Sequence, residues 1–193
     1  MSQLVLASAS PRRAALLAQI KLKPDAISPA DIDETPAKNE IPTVYAERMG
    51  LEKAQAVHQA GHFTLAGDTV VAVGRRILPK AETTDEVRAC LEMISGRAHR
   101  VITSICVIAP HGQIAKRLSI TQVRVKRLSR QEISLYLDSR EGLGKAGGYA
   151  IQGLFGAYIR KISGSYTGVM GLPVYETAQI LTGLGYTWPQ EIA

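Results

Sequence analysis

The chain has 193 residues, 46% hydrophobic and 21% charged, with 23 Lys and Arg against 17 Asp and Glu for a formal net charge of +6. That length and apolar content can build a full core, which excludes intrinsic disorder. Two cysteines, Cys90 and Cys106, exclude a disulfide scaffold and a CxxC-type zinc site.

Met1 to Ala7 has no basic leader and reads as a first strand from Leu4 to Ala7, not as a signal peptide. Ser10 as N-cap and Pro11 at the first helical position open a helix striped by Leu16, Leu17 and Ile20. A second helix runs from Pro42 towards His58 and stops by Gly61. Phe63 to Val73 reads as a strand that is apolar except at its centre. Thr83 to Glu86 is a capping box, and Val87, Cys90, Leu91 and Ile94 recur at helical spacing until Gly96. Two long strands follow, Arg100 to Ala109 and Gln113 to Arg127, joined by the turn Pro110-His111-Gly112. In the second, Thr121, Val123, Val125 and Arg127 alternate with Ile120, Gln122, Arg124 and Lys126. Ser129 to Glu132 is another capping box, opening a short helix through Ile133, Tyr136 and Leu137. Leu154 to Ile162 reads as a strand, and Pro173 starts a last helix with Val174, Thr177, Ala178 and Leu181 on one face. No repeat or linker divides residues 1–193, so one domain is expected. Helices alternating with strands but interrupted by a hairpin predict an α/β fold with a mixed sheet.

Nothing approaches the about 18 consecutive apolar residues of a membrane span. The free thiols point to a reducing, cytoplasmic home. A charge of +6 with 5% aromatics suits a small polyanion, such as a nucleotide's phosphates, better than a stable nucleic-acid partner.

Four places break local rules. Arg12 and Arg13 stand in the first turn of a helix, where the dipole disfavours cations by about 0.3–1 kcal/mol each. Either they are solvated, or with Ser8, Ser10 and the helix amides they cradle a phosphate. In the second case, removing Arg13 should leave the unliganded chain at least as stable. Asp68-Thr69 interrupts an apolar strand, so the carboxylate either caps a strand end or lines a site and meets a cation. Asp31-Ile32-Asp33-Glu34 offers hard oxygen ligands for a divalent ion, or is a solvated loop. Residues 142–153 are rich in glycine without P-loop or GxGxxG spacing, and there Gln152 carries a paired donor and acceptor able to read a base edge. Lys53, on the stripe of Tyr45 and Met49, and Lys80, after Pro79, are either surface lysines or part of the same site. The four histidines show no ligand spacing, and no Gly-x-Ser-x-Gly elbow occurs.

Taken in order, Ser8-Ala9-Ser10-Pro11-Arg12-Arg13, Asp33-Glu34, Glu52-Lys53-Ala54, Gly67-Asp68-Thr69-Val70, Lys80, Ser95-Gly96, residues 145–153, Gly164-Ser165-Tyr166 and Gly171-Leu172-Pro173 resemble the Maf family of nucleoside triphosphate pyrophosphatases. The resemblance spans nearly the whole chain. It implies a mixed α/β fold like that of the inosine triphosphate pyrophosphatases (Maf/HAM1-like), with two lobes around a cleft, often as a homodimer. Arg12, Thr69 and Gln152 resemble the subgroup hydrolysing dTTP and UTP, whereas a sister subgroup acting on 7-methyl-GTP carries Trp, Gln and Glu there. Lys80-Ala81 stands where many relatives have Gly-Lys-Pro. By the same resemblance, Asp68 is the general base, and Glu34 with Asp68 holds Mg²⁺ or Mn²⁺. Ser8, Ser10, Arg12, Arg13, Lys53 and Lys80 cradle the triphosphate, and Thr69 and Gln152 read the base. The rival reading is a nucleotide-sensing module in cell-division control that binds without turnover.

Overall fold

The structure, a computed structural model, describes residues 3–188. Leu4–Leu6 forms β1, Pro11–Gln19 α1, Ala26–Ile27 β2, Pro42–Val57 α2 and Phe63–Val73 β3. β2, β1 and β3 lie side by side in parallel, because helices carry the chain back over the sheet between them. After β3 the chain reverses. Arg76–Leu78 (β4) and Lys80–Ala81 (β5) follow, then Thr84–Ile94 (α3), Ala98–Ile108 (β6) and Ile114–Val125 (β7). β4 and β6 pair antiparallel with opposite edges of β3, and β7 pairs with β6. Arg130–Ser139 is α4, Lys145–Ala146 is β8, Ile159–Ser163 is β9, Tyr166–Met170 is α5 and Val174–Gly183 is α6. The main sheet is therefore mixed, in the order β2-β1-β3-β6-β7-β9, while β5 and β8 form a two-stranded sheet of their own.

Both capping boxes form as their sequences demand. Thr83 and Ser129 accept the amides of Glu86 and Glu132, whose carboxylates reach back to the N-cap amides. The strand expected from Leu154 to Ile162 is corrected. Its first half, Leu154–Tyr158, is a 3₁₀ turn, and only Ile159–Ser163 is extended. Phe155 and Tyr158 are both buried, three residues apart, which is the period of a 3₁₀ helix and not of a strand. At the N-cap of α1 the serine is in place, but its hydroxyl makes no capping bond.

Of the four apolar clusters among the described residues, two are the largest. One gathers α3, α4 and an aromatic group in which the Phe155 ring lies 4.7–5.6 Å from those of Tyr136, Tyr149 and Tyr158. The other packs β1, α1 and α6 around Leu6, Leu17, Leu65 and Leu181. No helix among the described residues is long and apolar enough to cross a membrane.

What positions the site is a gap. β6 covers one edge of β3 from Thr64 to Ala72. On the other edge β1 covers Phe63 to Leu65 and β4 covers Val71 to Val73, leaving residues 66–70 without a strand partner. At that gap the chain leaves β1 and turns into α1.

Candidate active site

The gap opens into a cleft of about 750 Å³ lined by side chains from Ala7 to Gly171. Successive side chains of a strand point to opposite faces. At a paired edge that would separate Asp68 from Thr69; at an open edge both reach the cleft.

Asp68 faces α2. Its cross-strand partner is Ser104, against which α2 packs so closely that a Cβ at Gly50 would stand 2.6 Å from Ser104 Oγ. Glycine at that point lets the helix approach, and one turn later Lys53 meets the strand. Its ammonium lies 2.7 Å from Asp68 Oδ1 and 2.9 Å from Glu34 Oε1. Lys53 and Asp68 are only 8% and 7% exposed, while the Glu34 side chain is 53% exposed. A buried ion pair repays its desolvation only when geometry and partners are good. Here one cation serves two anions, and Asp68 Oδ2 makes no hydrogen bond with the described residues.

The loop carrying Glu34 is clasped onto α2. Tyr45 Oη donates to the Glu34 carbonyl at 2.7 Å, and Arg48 donates to the Thr35 carbonyl at 3.1 Å. Arg48 also forks onto both oxygens of Glu40 at 2.8 Å, and those bonds pull the Glu40 pKa down to about 2. Burial, then the charges of Asp68 and Glu34, push the Tyr45 hydroxyl up to about 12.

The opposite rim is basic. Pairing of β5 with β8 sets Lys80 opposite Ala146 and Ala81 opposite Lys145, and Arg12 faces them from α1. Burial, then the nearby charges of Arg12 and Lys80, lowers the Lys145 pKa, and burial lowers that of Arg12. Lys80 has only a solvent-exposed contact with Glu82 at 3.4 Å, and Arg12 has no ion pair among the described residues.

Arg13 turns inward instead. Its Nη1 donates to Ser8 Oγ at 2.7 Å and its Nε to the Gly171 carbonyl at 2.9 Å, while Nη2 reaches Thr69 Oγ1 at 3.5 Å. Thr103 Oγ1 donates to the Gly168 carbonyl at 2.8 Å and lies 3.2 Å from Thr69 Oγ1. Arg13 thus ties the start of α1 to the end of α5. The expectation that Arg13 finds its partners in a ligand's phosphates is corrected: in the unliganded chain it already has neutral protein acceptors, although burial lowers its pKa. Ser8 Oγ also accepts the Ser10 amide at 3.2 Å, while the Ser10 hydroxyl caps no amide of α1.

All the residues expected at a site, Ser8, Ser10, Arg12, Arg13, Glu34, Lys53, Asp68, Thr69, Lys80 and Gln152, line this one cleft. Gln152 is exposed there and makes no side-chain hydrogen bond with the described residues. Asp31 and Asp33 do not line it, and Asp33 caps the Thr35 amide instead. Tyr45, Lys145 and Tyr149 also line it, unforeseen. The signal for Tyr45 was its position on the Lys53 stripe, and for Lys145 and Tyr149 their place in the block 145–153; that Lys145 would meet Lys80 had none, because the β5–β8 pairing is nonlocal.

The donor set suits a hard divalent cation. Two carboxylates converge, and no group of three or more His, Cys, Asp or Glu side chains does so among the described residues. A cation held there would complete its shell from phosphate oxygens and water, which is how magnesium, not zinc, is bound beside a nucleotide.

Comparison with known proteins follows the same lines. Residues 3–184 match the family described as Maf-like protein. A protein of Rhodopseudomonas palustris (strain HaA2) named dTTP/UTP pyrophosphatase is 54% identical over 192 residues, covering 95% of this chain and 93% of that one. One of Rhodospirillum rubrum with the same name is 57% identical over 185 residues, covering 95% and 88%. Among solved structures, a HAM1 protein from Coxiella burnetii superposes with a TM-score of 0.54 at 16% identity, covering 95% of this chain and 100% of its own. That likeness bears on the fold alone: a mixed α/β sheet with flanking helices. Matched from residue 3 to residue 184, and at more than half of its positions by such relatives, this chain belongs to the Maf family.

Proposed function

We propose that the cleft hydrolyses dTTP and UTP to the nucleoside monophosphate and pyrophosphate, by attack of water on the α-phosphorus. The observation that carries this reading is the Lys53-bridged pair of Asp68 and Glu34 facing the cations Arg12, Lys80 and Lys145 across one cleft. Cleavage of the α–β bridge builds negative charge on the leaving pyrophosphate, which positioned cations stabilise more than they stabilise the substrate. Arg12, Lys80 and Lys145 supply them, with the hydroxyls of Ser8 and Ser10 beside the start of α1. Arg13, already bonded within the protein, holds that wall in shape.

Asp68 acts as the general base. Lys53 fixes one of its oxygens, leaving the other to take a proton from water. Glu34 and Asp68 would hold Mg²⁺ or Mn²⁺, which when bound neutralises phosphate charge and orients the attacking water. Gln152 can both donate to and accept from the O4/N3–H edge of thymine or uracil. Thr69, whose hydroxyl sits among Arg13 and Thr103, shapes the floor beneath the base. The names of the relatives support this substrate class. Site residues from Ser8 to Gln152 line one cleft, so residues 1–193 would act as one Maf-like unit. A cytoplasmic homodimer is part of the same proposal, resting on the family resemblance and the two buried free thiols.

The test is pyrophosphate release across a nucleotide panel with Mg²⁺ saturating. The expected result is the highest kcat/KM for dTTP and UTP, with Gln152→Glu weakening that preference because the carboxylate lacks the donor. A site that pairs with a polar edge rejects partners that leave its own groups unpaired. Highest turnover of dATP or 7-methyl-GTP would overturn the specificity, and tight binding of every nucleotide without turnover would favour the sensing module.

A further inference from the structure

β9 breaks the alternation that strands obey. Ile159 and Ile162 both pack inward, and the two residues between them, Arg160 and Lys161, are both exposed. The cause is a bulge: Val125 pairs with Ile159 and Arg124 with Lys161, so Arg160 has no opposite residue on β7. A bulge re-aims a side chain that regular pleating would send the other way. Its effect here is to put Arg160 and Lys161 into one depression of about 470 Å³ together with Arg97 and Arg124.

Two features of this depression run against stability. Arg124 and Lys161 are direct cross-strand neighbours, and like charges so placed repel. Among the described residues, none of the four cations has an ion pair or a side-chain hydrogen bond. The remaining lining, Gly96, Ala98 and Val125, has no aromatic ring on which a base could stack and no amide to read one. The depression shares no lining residue with the catalytic cleft.

We propose that this bulge is a second anion site, which binds a compact polyphosphate by its charge and takes no account of any base attached to it. Three guanidinium forks and one ammonium match clustered phosphate oxygens, and each fork can bond two of them. Binding there would relieve the Arg124–Lys161 repulsion and weaken as salt is raised.

Calorimetric titration with inorganic tripolyphosphate, metal removed by chelator, tests this on the whole chain. Arg160→Ala/Lys161→Ala is expected to lose one equivalent relative to wild type, whatever the catalytic cleft takes up, and to turn over dTTP at the wild-type rate. Failure of the cleft reading therefore shows separately. Arg124→Gln is expected to keep that equivalent but to weaken it about tenfold, as the loss of one charge-assisted contact does. Equal stoichiometry in wild type and the double variant would overturn the proposal. So would a single-stranded oligonucleotide that displaces tripolyphosphate from the bulge at far lower concentration, since the surface would then belong to nucleic acid.

Discussion

The two sides of the cleft handle charge in opposite ways. On the floor, Lys53 sits between Asp68 and Glu34, buried and satisfied, and the loop bearing Glu34 is pinned by Tyr45 and Arg48. On the rim, burial and then the charges of Arg12 and Lys80 lower the Lys145 pKa, and among the described residues the Lys145 ammonium finds only the Leu143 carbonyl, at 3.1 Å. A floor whose charges are already paired keeps its geometry before any ligand arrives. A rim whose cations have at most an exposed contact, as Lys80 has with Glu82, gains strong partners only when phosphates arrive. The difference teaches which substitutions should damage the empty protein and which only its work.

The largest effect belongs to the floor. Asp68→Asn should lower kcat by about 10²–10⁴-fold, the usual loss for a general base, while circular dichroism stays native. More than half the wild-type rate would remove Asp68 from that role. Lys53→Met should cost about 3 kcal/mol in urea unfolding, because it leaves Asp68 buried without its cation. The matching change on the rim, Lys80→Met, should stay within about 0.5 kcal/mol of wild type. Equal losses at the two lysines would erase the distinction between floor and rim.

His99 sharpens the comparison, since it is a buried base with no anion beside it. Its Nε2 lies 2.7 Å from Tyr149 Oη, and burial lowers its pKa to about 4. The unfolded chain, with an ordinary histidine near about 6.5, therefore binds the proton first as pH falls. Stability is fully present above that value and falls between about 6.5 and 4, by up to about 3 kcal/mol. Urea titrations of His99→Gln should lack that part of the slope; parallel curves would show that His99 does not titrate there. Smaller still, Arg13→Ala should cost about 1–3 kcal/mol without ligand, for the Gly171 and Ser8 acceptors it abandons. An unchanged melting temperature would return Arg13 to the rim.

Much of the fold was legible because it is local. The bounds of β3 and both capping boxes follow from residues within a few positions of each other. The stretch from residue 154 misled because apolar density alone does not separate a strand from a 3₁₀ turn; the three-residue spacing of Phe155 and Tyr158 does. α5 was missed, being five residues long with a glycine inside it. The site was legible as a set of violations, a carboxylate in an apolar strand and cations at a helix start. What joins them was not. The Lys53 bridge and the meeting of Lys80 with Lys145 depend on pairings across the sheets, and no spacing in the sequence encodes them. Arg13 violated the same rule as Arg12 for a different reason, since its partner Gly171 is 158 residues away.

The most direct test of floor against rim is where water's oxygen goes. If the rim holds the outer phosphates and the floor faces the α-phosphorus, turnover of dTTP in heavy-oxygen water should place the label in thymidine monophosphate and leave the pyrophosphate unlabelled. Mass spectrometry of the two products reads this directly, and label in the pyrophosphate would contradict the assignment, because water would then have attacked the β-phosphorus.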